Sequence, residues 1–70
     1  MLVAGIDVGS ISAETVILEA DKILAFNILP TGANSKTAGE KSFNNALERA
    51  GIRREDIKYT VAAPILLTKK

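Results

Sequence analysis

A segment near the start of the chain combines residue types that contact phosphate and a divalent cation. It reads GIDVGSIS over residues 5–12. Successive backbone N–H groups in a tight turn form a concave site for anions, and a glycine lets a ligand approach the backbone closely. The serine hydroxyls add further donors. The residues predicted to contact phosphate are Gly9, Ser10, Ile11 and Ser12.

Asp7 stands at the expected end of a strand, beside this turn. A carboxylate there is predicted to hold Mg²⁺ through water, because this ion keeps several waters and takes one or two carboxylates. The same residues also fit a plain hairpin turn, in which Gly9 satisfies the backbone geometry and Asp7 or Ser10 bonds nearby amides. The residue types alone leave both interpretations open.

The rest of the chain predicts the elements that position this turn. Short β-branched and apolar runs between polar or glycine-containing breaks are typical of strands, and apolar residues at helical spacing indicate a helix. The predicted elements are strands at Leu2–Val8, Glu14–Ala20, Ile23–Leu29 and Ile57–Ala63, and a helix at Ser35–Ala50. The short connections make the first three strands an antiparallel meander, with a polar break at Asp21-Lys22.

The helix connects the third strand to the fourth as a crossover, a connection that is right-handed in nearly all known folds. It brings the fourth strand beside the first and parallel to it. The predicted fold is therefore α/β: a β-β-β-α-β unit with one mixed sheet of order 3-2-1-4 and one helix on one face.

Both ends of the predicted helix carry cap signals. Asn34 or Ser35 is a candidate N-cap, and Thr37 begins a Thr-x-x-Glu pattern with the spacing of a capping box. Gly51 is the natural residue after the last turn, and Ile52 beyond it is expected to pack back on the helix as in a Schellman motif.

The third strand is apolar on both of its faces. Its alternating positions are Ile23, Ala25 and Leu29 on one side and Leu24, Phe26 and Ile28 on the other. Strands of this kind belong to sheets that are covered on both faces, yet the predicted helix covers only one. We therefore expect the second face to be covered by another copy of the chain, which predicts a homo-oligomer, or by the rest of a longer protein.

The composition excludes several functional classes. The 70 residues include no cysteine and no histidine, so the chain has no thiolate metal ligand and no imidazole base. A net charge of +1 gives no electrostatic footprint for nucleic acid. No apolar run approaches the ~20 residues of a membrane span, and the start of the chain does not resemble a signal peptide. We expect a cytoplasmic protein that binds neither nucleic acid nor membrane.

Two segments carry a family resemblance: GIDVGSIS at residues 5–12 and LPTGANS at residues 29–35. With the helix and the REDIKYTVA segment that follow, they resemble the start of the ATPase family of 2-hydroxyacyl-CoA dehydratase activators and benzoyl-CoA reductase ATPase subunits. That family belongs to the superfamily of sugar kinases, heat-shock chaperones and actin, whose ribonuclease-H-like fold opens with a β-β-β-α-β unit. The resemblance covers residues 1 to about 62.

The resemblance implies ATP and Mg²⁺ as cofactors. It implies ATP hydrolysis coupled to electron transfer, with a CoA-ester dehydratase or reductase component as the partner. It places Asp7 near Mg²⁺ and the residues from Gly9 to Ser12 in the first phosphate loop. Family members of the reducing systems hold an iron–sulfur cluster between two subunits, for which this chain has no cysteine.

The chain departs from the family pattern around this loop and at its end. Ile11 and Ala13 replace threonines, and Glu14 replaces a lysine. The family continues after residue 62 with a second glycine-rich turn, whereas residues 63–70 read APILLTKK. We expect residues 1–70 to form a single, partial ribonuclease-H-like lobe with a divergent tail, as a natural short protein, a divergent gene or a piece cut from a longer one.

Two functional hypotheses follow. In the first, the chain is the opening unit of an ATP-binding activator or reductase ATPase. Such a unit alone is expected to bind ATP weakly and not to hydrolyse it, because phosphoryl transfer needs several positioned parts. In the second, the chain is a small oligomeric structural or interaction module that kept the fold and lost nucleotide binding.

Overall fold

A computed structural model describes residues 1–20 and 22–63. The elements are β1 (Leu2–Val8), β2 (Ser12–Glu19), β3 (Lys22–Pro30), α1 (Ser35–Ala50), a 3₁₀ turn (Arg54–Asp56) and β4 (Tyr59–Ala63). They form one four-stranded sheet of order β3-β2-β1-β4. β1 pairs antiparallel with β2 and parallel with β4, and β2 pairs antiparallel with β3. The predicted fold class and strand order are confirmed, and the tail from residue 64 lies outside the described residues.

The connection between β2 and β3 differs from the prediction. The predicted break includes Lys22, but β3 already begins at that residue. Ala20, the residue after β2, has a φ of 56°. A left-handed backbone costs an L-residue about 1–2 kcal/mol, so the sequence signals for it are glycine and asparagine. An alanine at this position gives no such signal, and the predicted break therefore comes too late.

The helix packs against one face of the sheet and forms the core with it. The buried cluster consists of Ala4, Ile17, Ala25, Phe43, Ala46 and Leu47. Small residues on α1 allow a close approach to the strands. A Cβ added at Gly39 would lie 3.0 Å from Cγ2 of Val8, a distance that real Cβ contacts rarely reach. Gly39 therefore sets how near the helix comes to the end of β1, where the candidate turn begins.

The caps of α1 follow the prediction at both ends, but the predicted capping box does not form. Asn34 is the N-cap, and its side chain accepts a hydrogen bond from the N–H of Thr37 at 3.1 Å. Thr37 thus lies within the first turn, so the capping box predicted to begin there is wrong. Gly51 has a φ of 71°, and the N–H of Ile52 donates to the carbonyl of Leu47 at 3.1 Å. The predicted Schellman motif is confirmed.

Three polar side chains are buried between the helix and the sheet, which no sequence pattern indicated. The Thr15 hydroxyl donates to Oγ of Ser42 at 2.9 Å. The Ser42 hydroxyl donates to the backbone carbonyl of Asn27 at 3.3 Å. Hydrogen bonds form only over a narrow range of distances, so this cluster restricts the position of the helix along β2 and β3.

The other face of the sheet is apolar and uncovered within the described residues. Its large side chains, placed by the strand register, are Val3, Val16, Leu18, Ile23, Phe26, Ile28, Tyr59 and Val61. We call this set the open face. Phe26 is 49% exposed and Val61 is 62% exposed.

A register shift changes which side chain of β3 joins the open face. The β2–β3 pairing is irregular between Ile17 and Leu18, which pair with Ala25 and Ile23. Leu24 is therefore the extra residue of a bulge. Ile23 lies on the same face as Phe26 as a result, whereas strict alternation placed it on the face of Ala25.

Gly39→Val is expected to lower the free energy of unfolding by about 1–3 kcal/mol, the usual cost of forcing extra carbons into a packed contact. The reason is the contact between Gly39 and Val8, since helix propensity alone slightly favours valine over glycine. Urea unfolding followed by circular dichroism measures the change. Glu40→Val, at the next and exposed helix position, is the control, and an equal loss in both variants would contradict the prediction.

Candidate functional site

The turn between β1 and β2 has two backbone donors at its tip. The N–H of Gly9 donates to the carbonyl of Ser12 at 2.8 Å. Within the part of the chain that the structure describes, the N–H groups of Ser10 and Ile11 donate to no backbone carbonyl, and both residues are exposed. The donors open to an anion are therefore those of Ser10 and Ile11, whereas the N–H of Gly9 is already bonded.

Gly9 is not required by the fold of the turn itself. Its φ lies outside the left-handed region, and an added Cβ would meet nothing nearer than the carbonyl oxygen of Ser12 at 3.5 Å. This is an ordinary van der Waals distance. A plain hairpin would therefore accept another residue here, and the glycine leaves room for a ligand to approach this backbone.

Two carboxylates lie beside the turn on the open side of the sheet. Asp7 and Glu14 are directly opposite each other in the β1–β2 pairing. Both line a shallow depression of about 270 Å³, whose floor includes Gly5. The Ser12 hydroxyl donates to Oε2 of Glu14 at 3.2 Å. Glu14 therefore shares the face of Asp7, a point that the sequence left open.

The two carboxylates fit a hydrated cation that also binds phosphate oxygens. Mg²⁺ is typically bound through one or two carboxylates with its remaining positions held by water and phosphate, and Asp7 with Glu14 matches that number. Among the residues that the structure describes, no group of three or more potential ligands gathers into a closed metal cage. Without a cation, Glu14 would oppose a phosphate: at ~6 Å and an effective dielectric of ~20, two unit charges repel by roughly 3 kcal/mol.

Thr31 is a residue of the site that sequence reasoning missed. It follows β3 and is 7% exposed. Its hydroxyl donates to the carbonyl of Gly9 at 2.8 Å, and its N–H donates to the carbonyl of Ile11 at 2.9 Å. The only sequence signal was its place in the LPTGANS segment, which carried a resemblance but no role.

Comparison with known proteins gives one curated relative of high similarity. No family model matches the chain. The activator of lactoyl-CoA dehydratase from Anaerotignum propionicum is 41% identical over 63 residues, which are 89% of this chain and 24% of that protein. This chain is related to the activators of CoA-ester dehydratases. It spans about a quarter of the length of that relative.

Solved structures of such activators share the fold. Component A of (R)-2-hydroxyglutaryl-CoA dehydratase from Acidaminococcus fermentans superposes with a TM-score of 0.86 at 27% identity, over 99% of this chain and 27% of its own. The activator of 2-hydroxyisocaproyl-CoA dehydratase from Clostridium difficile, with bound ADPNP, superposes with a TM-score of 0.82 at 29% identity, over 91% of this chain and 24% of its own. The resemblance to dehydratase activators is confirmed, while the benzoyl-CoA reductase part of it stays a prediction.

The helix α1 is not a membrane span. Within residues 1–20 and 22–63, no helix is both long and apolar enough to cross a bilayer.

Asp7→Asn and Glu14→Gln are each expected to raise the free energy of unfolding by roughly 0.2–1 kcal/mol, because like charges directly opposite in a sheet destabilise it. The double variant should gain less than the sum of the two, since either change alone removes the repulsion. Urea unfolding at low and at high salt measures the effect, which should shrink as salt screens the pair.

Glu40→Gln is the matched control, because Glu40 is an exposed carboxylate on α1. Fully additive gains, or a gain in the control of the same size, would show that the two carboxylates do not interact.

Proposed function

We propose that this chain supplies the phosphate-contacting turn, and the sheet that carries it, of an ATP-binding protein that activates a CoA-ester dehydratase. The observation that carries the proposal is the tip of the β1–β2 turn, where the free amides of Ser10 and Ile11 lie beside the Asp7–Glu14 pair. Two further facts support it: the fold matches activators of such dehydratases, and one of these was solved with bound ADPNP.

Each element of the site has a distinct role in this proposal. The amides of Ser10 and Ile11 bind phosphate oxygens, and the hydroxyls of Ser10 and Ser12 add donors at the same turn. Asp7 holds the hydrated cation that accompanies the nucleotide, and Glu14 approaches the same cation from the neighbouring strand. Bound Mg²⁺ neutralises phosphate charge and bridges phosphate oxygens.

The activity of the whole system is proposed from the resemblance to the family of dehydratase activators. ATP hydrolysis would be coupled to electron transfer toward a dehydratase, or a reductase, component. An iron–sulfur cluster in such a system would take its cysteines from outside these 70 residues, which contain none. The second phosphate loop and the adenosine site would likewise come from other parts of the assembly, so this chain alone is proposed not to catalyse hydrolysis.

The chain alone is expected to bind Mg-ADPNP with a millimolar dissociation constant, roughly −4 kcal/mol, and to release no phosphate from Mg-ATP. The reason is that, in this proposal, the chain contacts the nucleotide through one turn alone. Amide chemical shifts of the ¹⁵N-labelled chain during a titration, together with a phosphate-release assay, measure both. The shifts should be largest at Ser10 and Ile11, and Asp7→Ala should reduce the effect of Mg²⁺ on binding.

Two results would contradict this prediction in different directions. Micromolar binding would show a more complete nucleotide site than a single turn, and hydrolysis that Asp7→Ala abolishes would show that the chain is a catalyst by itself. Shifts that are absent, or spread over α1 instead of the turn, would contradict the proposed function itself.

A second function is favoured by the open face: a small module that associates with a second copy of itself. Apolar surface on monomers rarely forms contiguous patches beyond a few hundred Å². Four strands about 4.8 Å apart, with about 7 residues each at ~3.3 Å per residue, give a face of roughly 450 Å². Two such faces would bury about 900 Å² if each is treated as flat, without the extra area of protruding side chains. This is close to the ~1,000 Å² that a specific interface needs. The net charge of +1 adds little repulsion between copies.

The chain is therefore expected to sediment as a dimer at about 100 micromolar, and Phe26→Lys is expected to shift it to a monomer. Phe26 lies near the centre of the open face beside Val16. A lysine there would remove the central apolar contact and bring a charge that must lose its hydration in the dimer. Sedimentation equilibrium measures the change. Glu40→Lys, on the exposed side of α1, is the control, and a monomeric wild-type chain would contradict this second function.

A further inference from the structure

We propose that Thr31 is a positioning residue for phosphate recognition, which holds the turn from Gly9 to Ser12 so that its tip amides stay free for an anion. The inference rests on the proposed function, because it assigns Thr31 to the same phosphate-contacting turn.

Thr31 is bonded to the turn on both sides of Ser10. Its hydroxyl reaches the carbonyl of Gly9 at 2.8 Å, and its N–H reaches the carbonyl of Ile11 at 2.9 Å. One residue that follows β3 therefore fixes the positions before and after the tip.

The planarity of the peptide bond carries this constraint to the amide that would bind phosphate. The carbonyl of Gly9 and the N–H of Ser10 belong to the same peptide unit, and in a trans peptide they point in opposite directions. The described peptide bonds are all trans. When the Thr31 hydroxyl holds the Gly9 carbonyl, the N–H of Ser10 must point away from Thr31.

Burial makes this hydrogen bond persistent. Thr31 is 7% exposed, so water competes little for its hydroxyl, and a hydrogen bond in such surroundings is stronger than one in water. The hydroxyl of Ser10, by contrast, stands on an exposed residue. The bond from Thr31 thus orders the exposed turn before a ligand binds. Donors that are ordered in advance bind a ligand with a smaller entropic cost.

The test compares Thr31→Val with Thr31→Ser in the full chain. Valine keeps the branched shape and the backbone N–H but removes the hydroxyl, whereas serine keeps the hydroxyl. Thr60→Val makes the same exchange at an exposed position of β4, where it pairs with Ala4 in the middle of β1 and away from the turn. Each ¹⁵N-labelled protein is titrated with Mg-ADPNP and, separately, with Mg-pyrophosphate, and the amide shifts of Ser10 and Ile11 give the dissociation constant.

Thr31→Val is expected to weaken binding of both probes by about three- to tenfold, the usual effect of one lost hydrogen bond. Thr31→Ser and Thr60→Val are expected to stay within about twofold of wild type. Unchanged binding in Thr31→Val, no rescue by serine, or an equal loss in Thr60→Val would overturn the inference.

A second readout separates this inference from the proposed function. ¹⁵N relaxation without ligand should show greater motion at Ser10 in Thr31→Val than in Thr31→Ser, while the helix is unchanged. If the wild-type turn shows no shifts with either probe, the proposed function and the ligand assignment fail. The relaxation data then still decide whether Thr31 holds the turn, and equal motion in both variants overturns that as well.

Discussion

Close packing of one helix on one face of the sheet is the constraint on which the rest of the structure depends. The helix approaches β1 at Gly39, where even a single added carbon would crowd Val8. The bonds among Thr15, Ser42 and the Asn27 carbonyl then fix its position along β2 and β3. The pairing of β2 with β3, which reaches Ser12 and Pro30, places Thr31 against the β1–β2 turn.

The candidate site depends on this placement of Thr31 against the turn. Thr31 lies at the end of β3 and bonds to the carbonyls of Gly9 and Ile11. The turn would otherwise be a short exposed hairpin connection. In the proposed function, phosphate binding by this turn would thus depend on a residue about twenty positions away in sequence, which the pairing of β2 with β3 brings to the turn.

The open face and the carboxylate pair belong to one surface. The strength of the interaction between the two charges depends on whether that surface is exposed to water or covered. Asp7 and Glu14 line the same depression as Val16, Phe26 and Val61. Covering the apolar part, by a second copy or by other parts of an assembly, would exclude water from the depression. Charges interact more strongly as the effective dielectric falls. The two carboxylates would then repel each other more, and a cation between them would be favoured more strongly than on the exposed sheet.

The sequence by itself determined the elements of the fold and the candidate phosphate contacts. Hydrophobic periodicity and the short connections between the strands require the meander and the crossover. The helix ends, too, are encoded locally, by Asn34 and by Gly51. Side-chain chemistry is also a local property, so the residue types from Asp7 to Ser12 name the candidate contacts to phosphate and Mg²⁺, although a plain hairpin turn fits them as well.

Only the tertiary structure decided which groups are available and which side chains share a surface. The bond from Gly9 N–H to Ser12 leaves the amides of Ser10 and Ile11 as the free donors, which depends on how the turn closes. The strand register, with its bulge at Leu24, decides that Ile23 joins the open face. The face of Glu14 and the two contacts of Thr31 follow from pairings between distant segments. A linear pattern cannot specify such pairings, because each one depends on where the helix and the neighbouring strands come to lie.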